Sequence, residues 1–124
     1  MIARELRLRR AEDFERARRD GASHTSPLLV LIVASNGLDR NRYGVTAGRR
    51  LGSAVLRNRA KRLLREALRE LDPRLSPGHD IVVIARNRFR ATTTLSELRE
   101  QLVQLTRCAQ ILLPEHEVHP NRPG

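Results

Sequence analysis

Apolar residues recur at every third or fourth position between residues 53 and 71, and this spacing predicts an amphipathic helix. A second face of that helix carries cations and an amide but no acid: Asn58, Lys61, Arg62, Arg65 and Arg69. Arg57 and Arg59 add cations near its start, where the helix dipole disfavours positive charge by roughly some tenths of a kcal/mol each. This pattern favours a negatively charged partner, and a solvated charged face is the alternative.

Shorter patterns predict the remaining elements. A helix is expected over Ala11–Asp20, because acids stand near its start and arginines near its end. A capping box at Thr94 begins a last helix, whose leucines repeat as far as Leu112. Apolar and β-branched runs predict three strands, at residues 28–34, Arg42–Ala47 and residues 80–85.

The order of these elements predicts one α+β domain over residues 1–113, with a mixed sheet and helices packed against it. The first two strands are expected to pair antiparallel around the turn dipeptide Asn36-Gly37. The strand–helix–strand order makes the third strand a parallel neighbour of an earlier one. Residues 114–124 are expected to be a disordered tail.

The net charge of +10 and a pI near 11.6 point to a polyanionic partner. A lone cysteine, Cys108, permits no internal disulfide, and no apolar run is long enough to span a membrane, so a soluble cytoplasmic protein is expected. The basic arm at residues 1–10 is interpreted either as a solvated segment with its leucines packed on the domain or as an electrostatic arm.

Side chains suited to bond breaking are not recognisable in the sequence. His116 and His119 lack the spacing of a zinc-binding helix, and the adjacent His79 and Asp80 at a strand start suit a structural or surface role. Aromatic residues make up only 2% of the chain, which argues against an extended base-stacking surface. We therefore expect no catalytic side chain and no intrinsic metal site.

Residues 57–65 read Arg-Asn-Arg-Ala-Lys-Arg-Leu-Leu-Arg and resemble the Arg-Asn-Arg motif of the bacterial ribonuclease P protein component. Upstream, residues 42–46 and 48–55 are similar to the strand and the glycine-bearing segment that precede this motif in the family. Residues 12–14 resemble its first helix, and residues 81–86 resemble its apolar strand ending in Ala-Arg. The resemblance extends in order over about residues 4–112.

This resemblance implies a compact α+β domain with a four-stranded sheet, like the second domain of a small-subunit ribosomal protein. It also implies an unusual left-handed strand–helix–strand crossover around the motif helix. The fourth strand would have to come from residues 21–26.

The function implied by the resemblance is that of the protein subunit of ribonuclease P, which needs no protein partner and no membrane. In that complex a catalytic RNA removes the 5′ leader of precursor tRNA and holds most of the Mg²⁺. The protein would bind the RNA and the leader and raise the affinity for substrate and Mg²⁺. Catalysis by the RNA agrees with the lack of recognisable catalytic side chains in this sequence.

The motif also implies which residues contact RNA. Those expected to face the catalytic RNA are Arg57, Asn58, Arg59, Lys61, Arg62, Arg65 and Arg69, with Asn58 a candidate outer-shell metal ligand. A leader cleft between the sheet and the first helix would contain Phe14, Arg18, Leu31, Arg49, Arg50 and Arg86. Family members often carry aromatics where this chain has Arg18 and Leu31, so arginine–phosphate contact is expected to outweigh base stacking.

Two other functions are consistent with the basic face alone. One is a DNA-binding regulator that reads the major groove with the arginine-rich helix, although two strands rather than a second helix precede that helix. The other is a ribosomal-type RNA-binding protein with no reaction attached.

Overall fold

The computed structural model describes residues 7, 8 and 10–114. Three helices and four strands follow one another in the order α1, β1, β2, β3, α2, β4, α3. Their bounds are Ala11–Asp20 for α1, Ala22–Thr25 for β1, Leu29–Ser35 for β2, Arg42–Ala47 for β3, Ala54–Leu71 for α2, His79–Ala85 for β4 and Leu95–Cys108 for α3. Most of the basic arm and the tail from residue 115 onward lie outside the described residues. Among the described helices, none is long and apolar enough to cross a membrane.

The strands form one mixed sheet in the order β1-β2-β4-β3. β2 is antiparallel to β1 and to β4, and β3 is parallel to β4 at the sheet edge. The predicted antiparallel pair of β2 and β3 is therefore wrong, because β4 lies between them. β4 is apolar on both of its faces and is best buried in the sheet interior, whereas β3 has a more exposed pattern that suits an edge.

Two other predictions about the sheet are confirmed. β1 supplies the fourth strand and falls within residues 21–26. β4 is the parallel neighbour of β3, with Tyr43 opposite Ile81 and Val45 opposite Val83. α2 connects these two parallel strands, and the left-handed sense of this crossover stays a prediction.

The two faces of the sheet are covered by different helices. Side chains alternate between faces along a strand, so Leu29, Leu31, Ile81 and Val83 belong to a large core with α2 and α3. Residues one position away, including Ile32 and Val82, form a smaller core with Ala17 of α1 and with Leu8. The sheet is thus the middle layer, with α1 alone on one side.

The helix ends follow from local hydrogen bonding. The Ser53 hydroxyl accepts a hydrogen bond from the backbone N–H of Leu56 and caps α2. The expected capping box of α3 is present between Thr94 and Glu97. The prediction that this helix continues to Leu112 is wrong, because it ends at Cys108 and Gln110 adopts a positive φ of 61°. Leu112 instead forms an antiparallel bridge to Leu75.

A buried carboxylate joins α1, β3 and β4. Asp80 is 1% exposed and accepts two hydrogen bonds of 2.8 Å from Arg42, one of 3.1 Å from Arg16 and one of 3.0 Å from Asn36. Burial raises the pKa of Asp80, but the hydrogen bonds from Arg42, Asn36 and Arg16 outweigh it and hold that pKa below its ordinary value. Asp80 therefore has the structural role expected for a residue at a strand start.

Replacing Asp80 with Asn is expected to lower the free energy of unfolding by about 3 kcal/mol at neutral pH, because two cations lose a buried partner. In the wild-type chain this stabilisation is present above the ordinary pKa of 3.8 and is lost as the pH falls through the lower pKa of the folded state. Urea unfolding across the acid range measures both effects. Asp20→Asn, which removes an exposed pair with Arg19, serves as the control. If the free energy of unfolding of Asp80→Asn decreased with falling pH as much as that of the wild-type chain, this role for Asp80 would be contradicted.

Candidate nucleic-acid interface

The orientation of α2 is set by its apolar stripe. Ala60, Leu64 and Leu68 are fully buried against the sheet and α3. One flank of α2 then faces α3, and the opposite flank faces the edge strand β3, since successive residues lie about 100° apart. The functional candidates on α2 divide between these two flanks and the outer surface.

The flank toward α3 is engaged within the protein. Arg59 donates a hydrogen bond of 3.1 Å from Nη1 to the carbonyl of Thr93, in the segment that leads into α3. Arg99 of α3 donates to Glu70 through Nε and Nη2, at 2.6 and 2.9 Å. Arg59 thus attaches the first turns of α2 to the segment before α3, a structural contact that the sequence did not predict.

Arg69 is also paired, so the expected absence of acid around it is wrong. Its guanidinium donates to Glu66 three residues earlier, and this contact, the largest influence on Glu66, lowers the pKa of that carboxyl. Helical neighbours at this spacing meet on the surface. Arg69, like Arg59, is therefore less available to a partner than the remaining predicted residues.

The flank toward β3 is different, because its cations lack acidic partners. Arg57, Lys61 and Arg65 form no ion pair with any carboxylate of the described residues, and Arg7 lies near enough for its charge to act on Arg65. We call these four residues the basic flank. The buried Nε atoms of Arg57 and Arg7 have no hydrogen-bond acceptor. Burial and then the nearby charge of Arg7 lower the pKa of Arg65, so the folded chain stabilises this cation poorly.

Arg7 reaches the basic flank through backbone pairing. It forms a parallel bridge with Tyr43, and the N–H of Leu8 donates to the Tyr43 carbonyl at 2.7 Å. Because neighbouring residues in paired strands share a face, Arg7 lies on the same side as α2, whereas Leu8 packs in the core beneath α1. The sequence had left the role of this arm open, and its bridge to β3 supplies an additional cation.

The outer surface of α2 carries Asn58 and Arg62, both exposed. Val55, in the first turn, is 79% exposed. No acid occurs in the sequence between Asp39 and Glu66, so the segment before α2 and the first three turns of α2 contain cations but no carboxylate. Within the described residues, no group of three or more histidine, cysteine or acidic side chains is placed to hold a metal ion.

The cleft expected between α1 and the sheet would have an apolar floor. Phe14 packs over Gly44 so closely that a Cβ there would lie 2.4 Å from the ring, so a larger residue at this position would have to displace the Phe14 ring. Val30 and Ile84, like Phe14, are partly buried and pack against the smaller core. The expected place of Leu31 in this cleft is wrong, since Leu31 is fully buried on the opposite face of the sheet. Val30, one residue earlier, occupies the α1 side.

Arginines surround this cleft. Arg18 is exposed and follows Phe14 by one helical turn, on the flank of α1 opposite the pair formed by Asp13 and Arg16. Beyond the end of β4 lies an open depression of about 350 Å³. Its lining brings together Arg49, Arg50 and Arg86, with Ile84 and Asn87 beside them.

Comparison with known proteins identifies the family. The Ribonuclease P family model matches residues 2–110. The chain belongs to the ribonuclease P protein family. It is 42% identical over 111 residues to a ribonuclease P protein component of Chloroflexus aurantiacus, covering 90% of this chain and 82% of the relative. A Roseiflexus relative of the same name is 40% identical over 111 residues, covering 90% and 91% of the two chains.

Solved ribonuclease P proteins share the fold. The Staphylococcus aureus protein aligns with a TM-score of 0.77 at 29% identity, covering 86% of this chain and 97% of that chain. The Thermotoga maritima protein aligns with a TM-score of 0.75 at 32% identity, covering 82% and 96%. These matches confirm the resemblance found in the sequence and the expected α+β domain of three helices and a four-stranded mixed sheet.

The folded chain stabilises the Arg65 cation poorly, and this predicts how the free energy of unfolding changes when the cation is removed. Arg65→Met keeps an unbranched apolar stem and removes a cation that the fold disfavours. At low salt the free energy of unfolding should therefore rise, by a few tenths of a kcal/mol after solvent screening. Arg42→Met is the contrasting variant and should be destabilised by about 3 kcal/mol, because Arg42 pairs with buried Asp80. Urea unfolding at low and high salt measures both, and a marked loss of stability in Arg65→Met would contradict the prediction.

Proposed function

We propose that this chain docks on the catalytic RNA of ribonuclease P through the basic flank and the adjoining exposed surface of α2. The family to which it belongs consists of protein components of this ribonucleoprotein endoribonuclease. The observation that carries the proposal is the group of cations on α2 and at Arg7 that have no acidic partner among the residues the structure describes. In the complex, RNA phosphates would supply the missing negative charge.

The physical gain on docking comes from two sources. Each guanidinium that contacts a phosphate releases condensed counterions, which makes the affinity depend strongly on salt. The cations are also held in position before binding, because Ser53 caps α2 and Arg59 attaches it to the segment before α3. A partner surface that is already ordered costs less conformational entropy on association.

We further propose that the 5′ leader of precursor tRNA lies in the cleft between α1 and the sheet. Its floor is apolar, formed by Phe14, Val30 and Ile84, and suits the faces of unpaired bases. Arg18 and the arginines of the depression would contact the phosphates. Phe14 is the single aromatic residue at this floor, so phosphate contact should contribute more than stacking.

The proposed reaction is carried out by the RNA. A surface rich in guanidinium groups and poor in carboxylates does not fit direct coordination of Mg²⁺, which prefers oxygen ligands. In this proposal the RNA phosphates bind Mg²⁺, and the chain raises their occupancy only by fixing the RNA and the substrate. Asn58 stays a predicted outer-shell contact. The proposed compartment is the cytoplasm, where Cys108 remains reduced.

A DNA-binding regulator is a poorer fit to this geometry. A helix-turn-helix protein places a second helix just before its recognition helix. In this chain a 3₁₀ turn at Arg49–Leu51 and strand β3 precede α2. The basic flank lies beside a sheet edge and does not project as a helix suited to the major groove.

The proposed docking surface is tested by binding of ribonuclease P RNA to Arg65→Met. We expect the affinity to fall by about 1–3 kcal/mol and the slope of log affinity against log salt to decrease in magnitude by about 0.9, the value for one lost phosphate contact. Arg107→Met, in the last turn of α3, removes an equal charge away from α2 and is the control.

The two variants separate specific docking from general charge attraction. Equal losses for Arg65→Met and Arg107→Met would mean that net charge alone drives binding and would contradict docking through α2. Tight RNA binding by the wild-type chain without any effect on leader removal would favour the ribosomal-type alternative.

A further inference from the structure

The loop between β2 and β3 contains the single Asn-Gly dipeptide of this sequence, Asn36-Gly37. Each of the other four asparagines is followed by arginine. An Asn-Gly dipeptide is chemically labile, because glycine has no side chain to hinder an attack of its backbone nitrogen on the asparagine amide. No part of the function proposed above uses this loop.

The reaction of such a dipeptide needs one water molecule and no other reactant. The Gly37 nitrogen forms a bond to Asn36 Cγ, the bond from Cγ to Nδ2 breaks, and Nδ2 leaves as ammonia with the proton from the Gly37 N–H. Water then opens the five-membered imide at one of its two carbonyls. One opening gives aspartate at position 36, and the other gives isoaspartate, which adds a carbon to the main chain.

The attacking nitrogen is accessible in the fold. Gly37 is exposed, and nothing lies within 4 Å of the place where its Cβ would be. Its N–H donates no hydrogen bond within the part of the chain that the structure describes. The N–H of Leu38 donates to Asn36 Oδ1 at 2.8 Å and polarises the carbonyl bond that the Gly37 nitrogen would attack.

Two hydrogen bonds oppose the reaction by retaining the leaving group. Asn36 Nδ2 donates to the Arg40 carbonyl at 3.2 Å and to Oδ1 of buried Asp80 at 3.0 Å. Both bonds must break before Nδ2 leaves as ammonia. The folded chain should therefore react more slowly than the unfolded chain.

The product would change the charge beside Asp80. The Asn36 amide is a neutral donor to this carboxylate, which also accepts from the cations Arg42 and Arg16. A carboxylate in place of the amide would bring an oxygen to the position of Nδ2, 3.0 Å from Asp80 Oδ1. Two carboxylates this close cannot both stay ionised without strong repulsion, so they share a proton or move apart.

We propose that Asn36 is a site of deamidation whose product loosens the attachment of α1 to the sheet. Arg16 of α1 donates to Asp80 Oδ2 at 3.1 Å, and Asp13 of α1 lies 3.7 Å from Arg42. A second carboxylate would compete with Asp80 for the guanidinium groups of Arg16 and Arg42. The contact that holds α1 at the starts of β3 and β4 would thereby be weakened.

The chemistry is tested by storing the whole chain at neutral pH and physiological temperature and measuring peptide masses. The peptide with Asn36 should gain the mass of an amide-to-acid conversion and separate into aspartate and isoaspartate forms. The peptides with Asn41, Asn58 and Asn87 should keep their masses. Gly37→Ala should slow the conversion, because the added methyl group hinders the attack.

Two results would contradict the site. One is an intact Asn36 in the folded chain after a urea-unfolded sample has converted completely. The other is conversion at Asn41, Asn58 or Asn87 that is as fast as at Asn36.

The structural consequence is tested by urea unfolding of Asn36→Asp, which reproduces one product. At neutral pH its folded-to-unfolded ratio should fall on the order of tenfold, because each unit by which repulsion raises the pKa of the carboxyl pair is a factor of ten. The raised pKa of the folded pair means that this loss is present above that pKa and is recovered as the pH falls through it. The wild-type chain, whose Asp80 has a lowered pKa, should show no such recovery.

Several neighbouring groups also respond to pH, so matched variants are needed. The charged and titratable residues around position 36 are Asp13 and Arg16 of α1, Asp39 and Arg40 of the loop, Arg42 of β3, and His79 and Asp80 of β4. Asn36→Ser removes the donor without adding a charge and should show no recovery at lower pH. Asn87→Asp adds the same charge at an exposed residue of another loop and should unfold as the wild-type chain does.

Amide hydrogen exchange locates the effect. In Asn36→Asp the exchange of α1 amides should increase more than that of α3 amides, because local opening follows the loss of local contacts. If Asn36→Asp and Asn36→Ser have the same stability at every pH, or if α1 is equally protected in both, the proposed loosening of α1 is wrong.

Discussion

Carboxylates are scarce in this chain, and their placement determines which cations can bind a partner. The sequence has 14 acidic residues against 24 lysines and arginines. Asp80 and Asp13 hold Arg42 and Arg16 where α1 meets the starts of β3 and β4. Glu66 and Glu70 hold Arg69 and Arg99 on the outer surface and at the α3 side of α2. The cations on the β3 side of α2 and around the cleft are left without such partners.

This distribution makes α2 both a structural and a functional element. Its apolar stripe forms much of the large core, and its α3 flank is fastened through Arg59 and Glu70. Those contacts fix the opposite flank in position, although Arg7 repels Arg65 and the buried Nε of Arg57 has no hydrogen-bond acceptor among the described residues. A stable scaffold thereby supports a surface that is electrostatically unfavourable until a polyanion binds.

Much of the fold could be predicted from local patterns. The sequence correctly predicts the bounds of α1 and β3 and the caps of α2 and α3. These features depend on charges near helix ends, on the Ser53 cap and on the capping box, all of which act over a few residues. The pairing of β2 with β4 could not be predicted in this way. It depends on which strand is buried on both faces, and a turn dipeptide at residues 36–37 does not determine that.

The positions of candidate-site residues could be predicted where they lie on one regular helix. They were harder to predict where tertiary contacts determine which side chains meet. Helical spacing separates the outer surface of α2 from its core side, but it does not indicate that Arg59 meets Thr93 or that Arg7 lies beside Arg65. Leu31 was assigned to the wrong face because an error of one residue in a strand reverses the direction of the side chain. The alternation of buried and exposed residues along β2 identifies Val30 instead.

The most direct test is cleavage of precursor tRNA by ribonuclease P RNA, measured with and without this chain as the Mg²⁺ concentration is lowered. If the unpaired cations dock on the RNA and the cleft holds the leader, the chain should restore cleavage at low Mg²⁺, where the RNA alone is inactive. A variant with Arg57, Lys61 and Arg65 all replaced by Gln should fold but fail to restore it. Equal cleavage with and without the wild-type chain, or full activity of the triple variant, would contradict this mechanism.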